Sequence, residues 1–274
     1  MFKERDLKMA GIMIDRATRN CVLGSAFVCL ILMLPTLNYY YNWDLPMMGF
    51  PLALLSNGIG YMSIFFHEIG HTIFSWGYGY VTVPYFDFFN GGGMSMPLSE
   101  QSHLLSLFIL SGGAYGIFLI RDYRVVFWLA MGLWLFLFIT SFMGFHETVI
   151  LFMGHVSELI VGSFFIYRAL MNWVVKAGVE RHFYAIIGFF MIFSNIRDFI
   201  GLIVSDIERN VYAAQKGAFH MGDFSRIAID ELGVSLEAVS GFAFAIAMIL
   251  LILPFVVYAF ERRYIEAENI ENIG

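Results

Sequence analysis

The sequence predicts an all-α polytopic membrane protein with about six to seven transmembrane helices and a short β-hairpin after the second of them. Of its 274 residues, 59% are hydrophobic and 14% are charged, and the mean hydropathy is +0.72. A soluble domain carries roughly 25% charged residues. The apolar residues also form continuous blocks, close to the roughly 20 residues that a helix needs to cross a bilayer. Continuous blocks favour helices over the alternating strands of a barrel.

Seven apolar blocks are candidate spans, and the third is short enough for the count to fall to six. In chain order the blocks are residues 21–41, 48–76, 104–120, 125–145, 148–170, 183–204 and 239–260. Five basic residues precede the first block, and no cleavage motif of small residues follows it, so we expect an uncleaved anchor. Lys and Arg are distributed almost equally between the two sides. The basic N-terminus alone therefore favours a cytoplasmic N-terminus.

The region 77–103 predicts a β-hairpin in a re-entrant or interfacial position. It contains no Lys or Arg, and "YVTVPYFDFF" followed by "NGGG" indicates a strand and a turn. So apolar a hairpin is not expected in bulk water, and protein must cover its backbone groups at membrane depth.

The rest of the chain is predicted to complete one membrane-embedded domain, residues 1–274. A polar N-terminus (1–20) precedes a helical core (21–204), and a polar tail (261–274) follows the last span. The one sizeable extramembrane segment, 205–238, is predicted to hold a helix that Asp223 caps and that runs to Leu232. Gly233 is positioned to end that helix, and Ser235 to cap the last span.

The second block, "IGYMSIFFHEIGHTIFSWGYGY" at 59–80, carries His67, Glu68 and His71. On a helix, the two histidines project from the same face and can hold one Zn²⁺ per chain, which predicts zinc as the cofactor. Glu68 is then placed as general base for a water that attacks a peptide carbonyl, and afterwards as acid toward the leaving amine.

Helix packing by polar residues is the alternative explanation of these three side chains. An ionisable group at the centre of a span costs about 2.5 to 3.5 kcal/mol on insertion scales. Three such groups in five residues require a compensating role, which a metal supplies. The net charge of −6 and the lack of a basic stripe indicate that nucleic acid is not a partner.

The "HEIGH" span followed by a hairpin with "NGGG" resembles the site-2 protease family of intramembrane zinc metallopeptidases, and more specifically its small bacterial branch. "SGGAYGIFL" at 111–119 resembles the small-residue helix beside the catalytic one in that branch. "HMGDFSRIAIDELGVSLEAVSGF" at 220–242 resembles its late segment, where an acidic residue opens a short helix before the last span.

The resemblance implies a location in the bacterial inner membrane, with the motif toward the cytosolic side. It also implies a transmembrane or membrane-anchored protein substrate that the hairpin holds as an added strand, and Asn90 is a candidate for contact with that strand. The lipid bilayer is the other expected partner.

The third zinc ligand is open between two spans, because the chain lacks the "N-x-x-P-x-x-L-D-G" stretch that usually supplies it in the family. In the sixth span, Asn195 and Asp198 lie three apart, with Arg197 beside them. In the fifth span, His155 and Glu158 lie three apart. Family position favours Asp198, and the expense of burying a carboxylate without a basic neighbour favours Glu158. Whichever of Asp198 and Glu158 is not the ligand is expected to contact a metal ligand or the substrate. The same is expected of His155 and Asn195.

The predicted function is hydrolysis of peptide bonds of membrane proteins, within or beside the bilayer, by a zinc-dependent metalloendopeptidase. The first alternative is a transporter of divalent ions or protons, for which charges are too sparse to trace a pathway. The second is a catalytically inactive scaffold, against which the intact His67, Glu68 and His71 argue.

Overall fold

The structure is a computed structural model and describes residues 7–9, 12–41, 50–87, 92–215 and 222–271. Within these ranges the chain is mainly helical, as predicted. The elements in chain order are β1 (Leu7–Met9), β2 (Ile12–Ile14), α1 (Arg16–Tyr41), α2 (Phe50–Gly77), β3 (Thr82–Asp87), β4 (Gly92–Pro97), α3 (His103–Leu119), α4 (Arg124–Phe142), α5 (His146–Met171), α6 (Gly178–Val204), α7 (Asp206–Gln215), α8 (Asp223–Arg226), a π-helical turn (Ile227–Leu232) and α9 (Leu236–Glu271).

Four helices of the described chain are long and apolar enough to cross a membrane, which is compatible with a membrane protein. They are Arg16–Pro35, His146–Met171, Gly178–Val204 and Leu236–Arg263. The predicted count of six to seven spans is not confirmed. α3 (His103–Leu119) and the part of α4 from Val126 to Phe142 are apolar helices as predicted, but each is shorter than the roughly 20 residues that cross a bilayer. α2 forms a helix of 28 residues but is not among these four.

The chain forms two compact units. The first consists of Met1–Ser63, Glu158–Phe199 and Phe244–Gly274. Large apolar side chains of α5 and α6, among them Leu159, Ile166, Met191 and Ile192, are almost fully buried in it. Between helices in a bilayer, such side chains stabilise the unit through van der Waals packing.

The second unit consists of Ile64–Ser157 and Ile200–Ala243. α2 ends here at Gly77. The next residue, Tyr78, has a fully buried ring, and its hydroxyl hydrogen-bonds Thr140 of α4 at 2.6 Å. The hydroxyl of Ser102 accepts from the backbone N–H of Leu105 and so caps α3. These contacts fix the two ends of the connection that contains the hairpin.

The predicted hairpin is confirmed, with β3 and β4 antiparallel and Pro84 opposite Ser95. Alternate residues point to opposite faces of a strand. Thr82, Phe86 and Ser95 therefore share one face, and the ring of Phe86 packs against Phe65 of α2 at 5.1 Å. The other face includes Tyr85, which is largely exposed. The hairpin thus lies with one face on α2.

Candidate metal centre

His67, Glu68 and His71 lie on α2 in the second unit and are all buried. The spacing of four residues brings the two imidazoles to one face of the helix, as the sequence predicts. Their Nε2 atoms lie 2.9 Å apart. The structure therefore places the two predicted ligand atoms side by side.

Asp223, the first residue of α8, brings a carboxylate to these two imidazoles. Its Oδ2 lies 2.9 Å from Nε2 of His67 and 3.3 Å from Nε2 of His71. Zinc held tetrahedrally at about 2.0–2.2 Å separates its ligand atoms by roughly 3.3–3.6 Å. One side of the triangle has that length, the other two are roughly 0.4–0.7 Å shorter, and the donors are of the types that zinc takes. The three side chains could therefore hold one metal ion.

The second nitrogen of His71 supports this assignment. Its Nδ1 lies 2.7 Å from the backbone carbonyl oxygen of Ile150 on α5. A carbonyl only accepts, so Nδ1 carries the hydrogen and Nε2 presents its lone pair to the cluster. A histidine that binds a metal almost always donates its other ring N–H in this way. Backbone carbonyls carry no sequence signal, so the contact was not predictable.

The carboxyl group of Asp223 is almost enclosed, with 13% of its side chain exposed. Burial raises its pKa, but hydrogen bonds and charges of His67 and His71 in their protonated forms outweigh burial and bring the pKa well below the usual range. Asp223 is therefore an anionic donor, as zinc requires. Two imidazoles and one carboxylate leave a fourth position open, which is the composition of catalytic zinc sites.

Asp223 is held in place by its neighbours in sequence. The ring of Phe224 is fully buried and lies 4.5 Å from the ring of His155 and 6.0 Å from that of Phe152 on α5. Gly222 abuts Tyr212, whose ring atoms would be 2.4 Å from an added Cβ. Contacts of Gly222 and Phe224 thus hold α8 in place on both sides of Asp223.

His155, predicted in the second shell, does lie beside a ligand. Its ring packs edge-on against that of His67, with centroids 4.6 Å apart. His155 therefore contacts both His67 and the anchor Phe224. This position agrees with a supporting role for His155.

The prediction that Asp223 caps a helix is wrong, because Gly222 occupies the N-cap and the Asp223 carboxylate lies on the imidazoles. The end of this segment is as predicted: Gly233 adopts a left-handed φ of 63°, and the Ser235 hydroxyl accepts from the N–H of Ala238. The only sequence signal for Asp223 was an acidic residue opening a helix before the last span.

The two residues predicted as third ligand belong to the first unit. Half of the Asp198 side chain is exposed, and its carboxylate accepts from Nε of the adjacent Arg197 at 2.9 Å. Glu158 is buried and accepts from the hydroxyl of Ser63 at 3.0 Å and from Nδ2 of Asn195 at 2.5 Å. Asn90 lies outside the described residues.

A cavity of about 910 Å³ opens beside the cluster in the second unit. Glu68, His71 and Asp223 all line it, so the predicted base and two of the three donors face the same space. The strand β4 forms one wall, and its residues Gly92–Pro97 all contribute. The donor cluster therefore borders a cavity that runs along β4.

Arg226 and Glu147 line the same cavity and approach each other to 3.7 Å. Glu147 also accepts from the hydroxyl of Tyr80 at 3.3 Å. Burial and the nearby Glu147 carboxylate raise the pKa of Tyr80 to about 12, so its phenol stays protonated and able to donate. These groups add polar contacts to the cavity wall that the sequence did not predict.

Comparison of the chain with protein-family models, with curated proteins and with solved structures gives no match. The likeness to site-2 proteases therefore rests on the sequence alone: the "HEIGH" motif, the hairpin with "NGGG", and the segments 111–119 and 220–242.

Proposed function

We propose that the chain is an intramembrane zinc metalloprotease that hydrolyses peptide bonds of membrane proteins within or beside the bilayer. One observation carries the proposal: the Nε2 atoms of His67 and His71 and Oδ2 of Asp223 lie within 3.3 Å of one another, and Glu68 lines the cavity that they border. A packing role for the polar residues does not require three metal-binding donors to converge.

We assign the third ligand to Asp223 in place of Asp198 or Glu158. Asp223 is the carboxylate whose oxygen lies within hydrogen-bond distance of both imidazoles. Asp198 accepts a hydrogen bond from Arg197. Glu158 accepts hydrogen bonds from Ser63 and Asn195. These contacts support ion-pairing and helix-packing roles.

Zinc bound by these three residues would supply a Lewis acid that polarises a carbonyl and brings the pKa of a water toward about 7. Glu68 accepts the proton of the attacking water and passes it to the nitrogen of the leaving amine. His71 is kept in the correct tautomer by the Ile150 carbonyl. The strand β4 borders the cavity and offers an extended substrate an edge for added-strand pairing.

The membrane setting is part of the proposal. The four spanning helices anchor the chain, and we infer that α2, α3 and α4 complete six to seven membrane helices, with the hairpin re-entrant or interfacial. A bacterial inner membrane and a cytoplasmic N-terminus follow from the family resemblance and from the basic N-terminal residues. The substrate is a transmembrane or membrane-anchored protein.

Purified protein with Glu68→Gln tests the proposal. Zinc content, measured by mass spectrometry, should remain at one per chain, while cleavage of a membrane-anchored substrate should fall by about 10²- to 10⁴-fold, the usual contribution of a general base. Glu100→Gln is the matched control, because Glu100 is an exposed residue after β4. This variant should cleave the substrate as wild type does. Unchanged cleavage by the Glu68 variant would refute the mechanism. Bound zinc without cleavage in the wild type would favour ion handling.

A further inference from the structure

Strand β4 is attached to α2 at Glu68. The hydroxyl of Ser95 lies 2.9 Å from Oε2 of Glu68 and 2.9 Å from the backbone carbonyl oxygen of the same residue. The Thr72 hydroxyl lies 2.8 Å from that carbonyl and 3.2 Å from the Ser95 hydroxyl. Ser95 is the residue through which β4 reaches the predicted base.

Of its two acceptors on Glu68, the Ser95 hydroxyl donates its hydrogen to the carboxylate. A serine has one hydrogen to donate, and the Glu68 carbonyl already has a donor in Thr72. Bonds to a charged acceptor are roughly twice as strong as bonds to a neutral one. Ser95 therefore donates to Oε2 of Glu68 and holds that oxygen against β4.

Gly93 completes the contact from the same face of β4. A Cβ at this position would lie 2.5 Å from Cγ and 2.8 Å from Oε1 of Glu68, and 2.9 Å from Cγ2 of Ile64. Only glycine allows the strand to approach so closely. The Glu68 side chain thus lies between α2 and the β4 backbone, with 5% of the residue exposed.

We propose that Ser95 is a positioning residue for Glu68, so that the hairpin orients the general base as well as bordering the substrate space. This inference rests on the proposed function. A glutamate has three rotatable bonds, and a base must lie within about 2.6–3.2 Å of the proton that it takes. The contact with Ser95, on the strand that lines the cavity, restricts rotation about these bonds before substrate binds.

Steady-state kinetics of Ser95→Ala, Ser95→Thr and Ser99→Ala test the role of Ser95. Ser95→Ala should lower kcat by about 10- to 100-fold, since a misplacement near 1 Å costs about 10²-fold, with KM and zinc content unchanged. Ser95→Thr keeps the hydroxyl and should recover at least a third of the activity. Ser99→Ala, at an exposed serine just after β4, should behave as wild type. A kcat for Ser95→Ala within twofold of wild type overturns the proposal, as does equal loss in the Thr variant.

A second measurement is independent of catalysis. Amide hydrogen exchange of 92–97 should be faster in Glu68→Ala than in wild type by at least threefold, both without added metal, because β4 loses its side-chain anchor. Glu100→Ala is the control and should exchange normally. Equal exchange in Glu68→Ala and wild type contradicts the contact. If Glu68→Gln cleaves normally, the proposed function fails; if it is inactive while Ser95→Ala is fully active, only the positioning role fails.

Discussion

Oδ2 of Asp223 lies 2.9 Å from Nε2 of His67, although 156 positions separate the two residues in the chain. This pair joins the helix that carries the "HEIGH" motif to a segment between the last two spanning helices. Metal affinity should therefore depend on residues from both parts of the sequence.

Replacing Asp223 with Ala should remove zinc from the purified protein. Loss of a direct ligand should weaken zinc binding by more than the roughly 10- to 100-fold that supporting residues contribute. Competition with a chelating dye measures the affinity. Asp230→Ala is the matched control, since Asp230 lines the same cavity on the same segment. The Asp198→Ala and Glu158→Ala proteins should keep their zinc. If either of them lost zinc while the Asp223→Ala protein kept it, the assignment of the third ligand would be reversed.

Gly154→Ala should disrupt both imidazoles. An added Cβ on Gly154 would lie 2.4 Å from Nε2 of His71 and 2.8 Å from Cε1 of His67, so neither ring can keep its position. We expect zinc binding at least about 100-fold weaker, again beyond the range of a supporting residue. Gly112→Ala on α3 is the control, because no atom lies within 4 Å of its added Cβ. Normal zinc content in Gly154→Ala would contradict this geometry.

Phe224→Ala should destabilise the second unit and release Asp223. A fully buried phenylalanine contributes about 3–5 kcal/mol over alanine, and Phe224 anchors the residue beside the ligand. Thermal unfolding in detergent and zinc titration should both show the loss. Ile229→Ala, at an exposed residue of the same segment, should leave both unchanged. Wild-type zinc affinity in Phe224→Ala would mean that Asp223 needs no anchor.

Asp15 should make stability depend on acid pH. Its carboxylate accepts from the backbone N–H and hydroxyl of Thr18, both at 2.7 Å. Burial raises its pKa, but these bonds and the charges of Arg181 and Arg262 lower it below 3.8 overall. A lowered pKa means that the stabilisation is present above the unfolded-state pKa of roughly 3.9 and is lost as pH falls through the folded-state value.

At pH 7, Asp15→Ala should therefore unfold more easily than wild type by about 1 kcal/mol, the usual loss for a helix N-cap. The part of this difference that depends on the charge of Asp15 should be lost as pH falls through the folded-state pKa, so the difference should shrink. Asp15→Asn is the control, because asparagine caps equally well without titrating and should show no such pH dependence. A constant difference between wild type and the Ala variant at all pH values would exclude a charge contribution.

The sequence was sufficient where the information is local. Apolar blocks predicted the helices, the four-residue spacing predicted the pairing of His67 with His71, and "YVTVPYFDFF" predicted the first strand of the hairpin. Hydropathy was less informative about membrane crossing. α3 and α4 are apolar enough but short, and α2, which carries the polar groups of the site, is long enough but is not among the four spanning helices.

The third donor was not predictable because it depends on long-range packing. Asp198 and Glu158 attracted attention through their position inside apolar spans, where a carboxylate is expensive. Asp223 lies in a polar segment, where an acidic residue is ordinary, and only the burial of Phe224 against α5 brings it to the imidazoles. Ser95 gave no signal for the same reason: its partner lies 27 positions away on another element.

The separation of the ligands along the chain also has a consequence for biosynthesis. His71 leaves the ribosome 152 residues before Asp223, which at about 5–20 residues per second corresponds to roughly 8–30 s. During that interval the nascent chain has two zinc donors and no third. Under the proposed function, the chain stays inactive while its own helices and those of its neighbours enter the membrane. Chains stalled on the ribosome before residue 223 should therefore bind zinc poorly, and chains stalled late enough to expose it should bind normally.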